Sequence, residues 1–112
     1  MNTDLLVPQP SNREPFKRNR ERFVPARAGC YILTNFLKVV LYIGLTVNLR
    51  RRMNEHLDDP IKIAETNLGR VIFFHWIESP DTNKIERTWM NIHIQNEGAL
   101  PLLNKVFSPT ST

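Results

Sequence analysis

Apolar and polar positions along the 112-residue chain change their period several times, and each change predicts an element. "GCYILT" and "KVVLYIG" are strand-like, β-branched and aromatic, with only "NFL" between them. So short a gap predicts an antiparallel hairpin over residues 29–44. With the turn centred between Phe36 and Leu37, Tyr31 sits directly opposite Tyr42 on one sheet face. A two-residue slip in register would keep the shared face, and a one-residue slip would lose it. In "TVNLRRRMNEHLDDP" the pattern becomes helical over about 47–58, with Thr46 or Asn48 as cap and Pro60 beyond its end. Leu49, Met53 and Leu57 form its apolar stripe; His56 falls inside that stripe, Arg52 lies at its edge one turn earlier, and Arg51 points away. "IKIAETNLG" predicts a short helix near 61–67, closed by Gly69. "RVIFFHWIE", 70–78, is apolar on both faces, as a central strand would be.

A longer helix over 80–96 follows, with Ser79 as cap, Pro80 at the first position and Gly98 after the end. Ile85, Trp89 and Ile92 make its core stripe, and Glu86 and His93 run along one edge of it. The tail "ALPLLNKV" reads as extended. Residues 1–28 hold four of the eight prolines and few large apolar residues, and read as a basic arm with a helical turn in "FKRNRERF". The organisation expected is therefore an arm over 1–28, an α+β domain over 29–106 and a flexible tail over 107–112.

Composition narrows the class. The length suits one domain with a single modest core. No apolar run nears the roughly 18 residues that span a bilayer, and the N-terminus lacks the pattern of a signal peptide. Cys30, the single cysteine, excludes an internal disulfide and a multi-cysteine zinc site. A cytoplasmic protein without membrane contact is the expectation. A net charge of +4 favours a polyanionic partner. Arg13, Lys17, Arg18, Arg20, Arg22 and Arg27 crowd the arm, and Arg50, Arg51 and Arg52 form a second cluster. Either group also reads as an ordinary solvated surface.

The motifs, in order, are Gly29-Cys30-Tyr31, Tyr42-Ile43-Gly44, Arg52 with His56 one turn on, Glu86, and Pro101-Leu-Leu-Asn104. In this order and spacing the chain resembles the GIY-YIG nuclease family over residues 29–104. The resemblance implies a three-stranded antiparallel sheet, the hairpin 29–44 plus strand 70–78, flanked by helices. It implies DNA as substrate and catalysis by Tyr31, Tyr42, Arg52, His56 and Glu86, with Glu86 as ligand of Mg²⁺ or Mn²⁺. Arg50 and Asn104 are candidate substrate contacts. Two positions depart from the pattern: Cys30 replaces the middle isoleucine, and Leu45 stands where many members carry a lysine or a small polar residue.

Phosphodiester hydrolysis needs a deprotonated water, neutralised phosphate charge and a stabilised leaving oxygen. A single carboxylate suits Mg²⁺, which keeps most of its waters, and the arginine fork suits phosphate. A free phenol has a pKa of about 10, so ionising it near pH 7 costs about 4 kcal/mol. Histidine, near 6.5, is better matched to neutral operation. Tyr31 is thus expected to touch the attacking water, His56 to accept or relay its proton, and Tyr42 to position the phosphate or a metal-bound water. Which group takes the proton stays open at this level. So do two other readings, a degenerate nucleic-acid binder and a protein-interaction module, and the oligomeric state. His75, His93, Trp76 and Trp89 read as packing or surface residues.

Overall fold

The computed structural model describes residues 1–105. The 107–112 tail expected from the sequence lies outside them. Four antiparallel strands form one sheet: β1 (Asn12–Pro15), β2 (Gly29–Thr34), β3 (Val40–Thr46) and β4 (Phe73–Glu78), in the order β1-β4-β2-β3. Three strands were expected. The fourth, β1, comes from the N-terminal segment and covers the free side of β4. Its sequence, Asn-Arg-Glu-Pro, has no apolar alternation to read. It is charged and ends in proline, as edge strands are. Strand β4 begins at Phe73 rather than residue 70.

The hairpin register differs from the expected one by two residues. Tyr31 pairs with Gly44, and Tyr42 with Leu33. The loop accounts for the slip. Instead of a tight turn at Phe36-Leu37, the Asn35 side chain accepts hydrogen bonds from the Leu37 and Val39 amides, 2.9 Å each, and Lys38 takes a left-handed φ of 65°. An irregularity between Leu33 and Thr34 absorbs the remainder. Side chains alternate with a period of two, so both tyrosines still share a face.

On that face lies helix α1 (Leu49–Leu57), whose Asn48 cap accepts from the Arg51 amide at 3.0 Å. Leu49, Met53 and Leu57 pack there with Tyr31, Leu33, Tyr42, Phe74 and Trp76. Phe16 and Val24 from the N-terminal segment join the same cluster. The other face holds Cys30, Ile32 and Ile43 beneath Trp89 of helix α3 (Thr82–Glu97), with Leu6 beside them. Trp89 also donates its Nε1–H to the Pro8 carbonyl at 2.7 Å, fastening the N-terminal segment to this side.

Three helix expectations are corrected. Helix α2 is one turn, Pro60–Ile63, rather than 61–67, because Thr66 and Gly69 close a turn instead. Helix α3 starts at Thr82 with Asp81 as cap, its carboxylate accepting from the Lys84 amide, while Ser79 holds the Asp81 amide. The stretch read as extended forms helix α4 (Leu102–Lys105) and buries Leu103 in the α1 face. Gly98 ends α3 in the left-handed conformation, φ 73°, as expected.

Candidate active site

Tyr31 is fully buried at the centre of the sheet, its ring stacked 5.1 Å from Phe74 at an interplanar angle of 8°. The strand opposite it must lack a side chain. A Cβ on Gly44 would lie 2.5 Å from both Cζ and Oη of Tyr31. Gly29 is fixed in the same manner, since a Cβ there would come within 2.4 Å of the Ile77 carbonyl. Both glycines are therefore required by close approach, and the one at 44 lets the phenol lie across β3.

The Tyr31 hydroxyl meets two side chains of α1. Arg52 Nε donates to it at 3.2 Å, and His56 Nε2 lies 2.7 Å away. An arginine N–H can only donate, so the phenol oxygen accepts there, and its own proton can go to the Tyr42 hydroxyl or to His56. Donation to His56 requires an unprotonated Nε2. Burial, then the Arg52 and Lys62 charges, holds the His56 pKa down to about 3, against a smaller opposing pull from Asp59. His56 is thus neutral over the physiological range, and in the tautomer protonated on Nδ1 its Nε2 accepts the phenol proton.

Tyr42 stands next to this pair, its ring centroid 6.0 Å from that of Tyr31 and 5.2 Å from that of His56, the latter edge-on at 67°. Its hydroxyl shares hydrogen bonds with Tyr31 and Arg52. Burial pushes both phenols above their ordinary pKa, Tyr31 well above, while the Arg52 charge works in the other direction. Arg52 is mostly covered, with 13% of its side chain exposed, whereas Arg51 is 58% exposed. Glu55 anchors the outer end of Arg52 at 2.9 Å.

Glu86 is half-buried on α3, one turn beyond Thr82, whose carbonyl accepts from the Cys30 thiol. It lies close enough to Tyr42 for its charge to oppose ionisation of that phenol. Burial pushes the Glu86 pKa up, Arg87 opposing, so the carboxylate is a poorly solvated anion that gains by meeting a cation. Among the described residues no group of three His, Cys, Asp or Glu could hold a metal ion; Glu86, on the α3 face beside Cys30, is a single carboxylate whose charge reaches Tyr42. A single carboxylate fits a hard divalent cation that retains most of its waters.

A family model described as the GIY-YIG catalytic domain matches residues 27–98. The chain belongs to the GIY-YIG family. Among curated proteins it is similar to UvrABC system protein C of Mesoplasma florum, 33% identical over 55 residues, which is 49% of this chain and 9% of that protein. It is also similar to UvrABC system protein C of Mycoplasmoides gallisepticum, 30% identical over 61 residues, 54% of this chain and 10% of that protein. The chain thus spans only a small part of the length of the curated relatives it matches. The GIY-YIG match takes in β2 through α3, and with them Tyr31, Tyr42, Arg52, His56 and Glu86.

Two other sequence candidates lie elsewhere. Arg50 turns to the N-terminal segment, donating to the Val24 carbonyl at 2.8 Å and to that of Arg22 at 3.3 Å. Asn104, outside the GIY-YIG match, spends its amide on β3, accepting from the Ile43 amide at 3.0 Å and donating to the Ile43 carbonyl at 3.1 Å. Lys62 escaped the sequence reading altogether. It is 3% exposed and places its ammonium 4.8 Å from the Tyr42 ring centroid. "PIKI" carries no sign of this beyond a lysine between two isoleucines. No helix among the described residues is long and apolar enough to cross a membrane.

Proposed function

We propose that this chain is a metal-dependent endonuclease that hydrolyses DNA phosphodiester bonds. The observation that carries the reading is the hydrogen-bond chain from Arg52 through Tyr31 to His56, buried beside Tyr42. Tyr31 at rest is a neutral phenol, so it can take a proton from water only by giving up its own. His56 Nε2, 2.7 Å away, is placed to receive it. As the water oxygen bonds to phosphorus, one proton moves from water to the Tyr31 oxygen, and the phenol proton moves to Nε2. Arg52 and Lys62 oppose a positive His56 in the free protein. A bound phosphate brings negative charge against those cations and makes the transfer easier.

Arg52 can also meet the phosphate by exchanging its outer Glu55 contact for a phosphate oxygen, and Tyr42 can donate to a phosphate oxygen. Glu86 would hold Mg²⁺ or Mn²⁺, with water and substrate oxygens completing the shell. When bound, the metal would stabilise negative charge on the phosphate and on the leaving oxygen. Arg50 and Asn104 would act at one remove, the first tying the N-terminal segment to α1 and the second steadying the strand that carries Tyr42. The test is nicking of supercoiled plasmid by the wild type and Glu86→Ala, with Mg²⁺, Mn²⁺ and chelator. Metal-dependent nicking lost in the variant supports the reading. DNA binding without nicking under any of these conditions would replace it with a non-cutting binder.

A further inference from the structure

Helix α2 is built inside out. Ile61 and Ile63 are 51% and 45% exposed, while Lys62 between them is 3% exposed. Burying an ammonium costs several kcal/mol unless it is well compensated, and leaving two isoleucines outside gives up apolar burial as well. Inversions of this kind persist where function requires them. The buried ammonium lies 4.8 Å from the Tyr42 ring centroid and 3.4 Å from Asp59 Oδ2. Asp59 also caps α2 through its other oxygen, 2.9 Å from the Ile61 amide. The groups that act on Tyr42 are Tyr31 from β2, Arg52 and His56 from α1, Lys62 with Asp59 from α2 and its cap, and, through its charge, Glu86 from α3. Arg52 thus serves both phenols, and Lys62 adds a second cation on the ring face of Tyr42.

We propose that Lys62 is a positioning residue of the phosphodiester site, holding the Tyr42 ring and a fixed positive charge against it. The inference rests on the endonuclease reading above. An ammonium on the ring face favours electron density on the phenol, and a fixed charge beside the phosphate needs no reorganisation as negative charge develops.

The test uses the full chain, Lys62→Met to remove the charge while keeping the stem, and Lys62→Arg to keep it. The Met variant should lower kcat on supercoiled plasmid roughly tenfold or more while KM changes less than about twofold. The Arg variant should recover most of the loss. A second readout needs no cleavage. The two tyrosines of the chain are Tyr31 and Tyr42, so ultraviolet phenolate absorbance reports on this site alone. The first phenol ionisation should move to higher pH in Lys62→Met. In Asp59→Asn, which keeps a capping side chain and removes the counter-charge, it should move to lower pH. Wild-type nicking by the Met variant, or unchanged ionisation in both charge variants, would overturn the proposal. If wild type nicks no DNA, the endonuclease reading fails by itself, and the phenol titration still decides whether Lys62 acts on Tyr42. If Lys62→Met does not fold, the absence of a downward shift in Asp59→Asn is enough to overturn it.

Discussion

Tyr31 lies where the side chain of residue 44 would otherwise be, so the second motif glycine and the phenol form one unit. Gly44→Ala puts a methyl 2.5 Å from the ring, and fully buried Tyr31 has nowhere to retreat. The variant should lose about 1–3 kcal/mol of stability through overpacking, and its nicking rate should fall further than Gly29→Ala would explain by destabilisation alone. Thermal melts paired with plasmid nicking check both parts. Much of the site at this scale was legible. The 3.6-residue period put Arg52 and His56 on the sheet side of α1, and the period-two pattern put both phenols on one face. The actual register, Tyr31 opposite Gly44 rather than Tyr42, was not recoverable, because Asn35 builds its loop through side-chain bonds to backbone amides. Those bonds depend on rotamer and distance, which periodicity does not encode. Lys62 was hidden for a related reason, since it inverts the rule by which buried positions are recognised.

Strand β3 carries Tyr42 and Gly44 at the open edge of the sheet. One side of it is paired to β2, and at Ile43 the other side is covered by the Asn104 amide from α4. Asn104→Ala removes partners from both the Ile43 N–H and C=O. It should cost about 1–3 kcal/mol and accelerate hydrogen exchange at the Ile43 amide relative to Ile32 on central β2. Exchange measured by NMR on the two proteins tests this. Elements with strong periodicity, such as α1, α3 and the central strands, were legible from the sequence within a few residues. Short elements were not. Strand β1 and helix α4 owe their form to what they cover: β1 pairs with the free edge of β4, and α4 inserts Leu103 into the core. Four residues hold too little pattern to announce either.

At the scale of the whole molecule, two buried histidines link folding to pH. Burial is the chief cause that holds His56 at about 3 and His75 at about 4, each from 6.5. The unfolded chain takes up protons near pH 6.5 that the folded chain refuses, so the stability from keeping these rings neutral is fully present above 6.5. It is lost as pH falls through the window down to about 4 for His75 and about 3 for His56. The slope is up to about 1.4 kcal/mol per pH unit for each group. The urea midpoint should therefore fall between pH 7 and pH 5, and fall less steeply in His75→Asn. Leu6 and Val24 of the N-terminal segment are fully buried, one packed on each face of the sheet.

The chain Arg52–Tyr31–His56 is the centre of the account, and the single-turnover cleavage rate of Tyr31→Phe tests it most directly. Phenylalanine keeps the stack on Phe74 and removes only the oxygen through which Arg52 and His56 are joined. The account predicts a rate roughly 10²-fold or more below wild type, the scale of general acid–base catalysis, with DNA affinity little changed. Cleavage by Tyr31→Phe at the wild-type rate would contradict it.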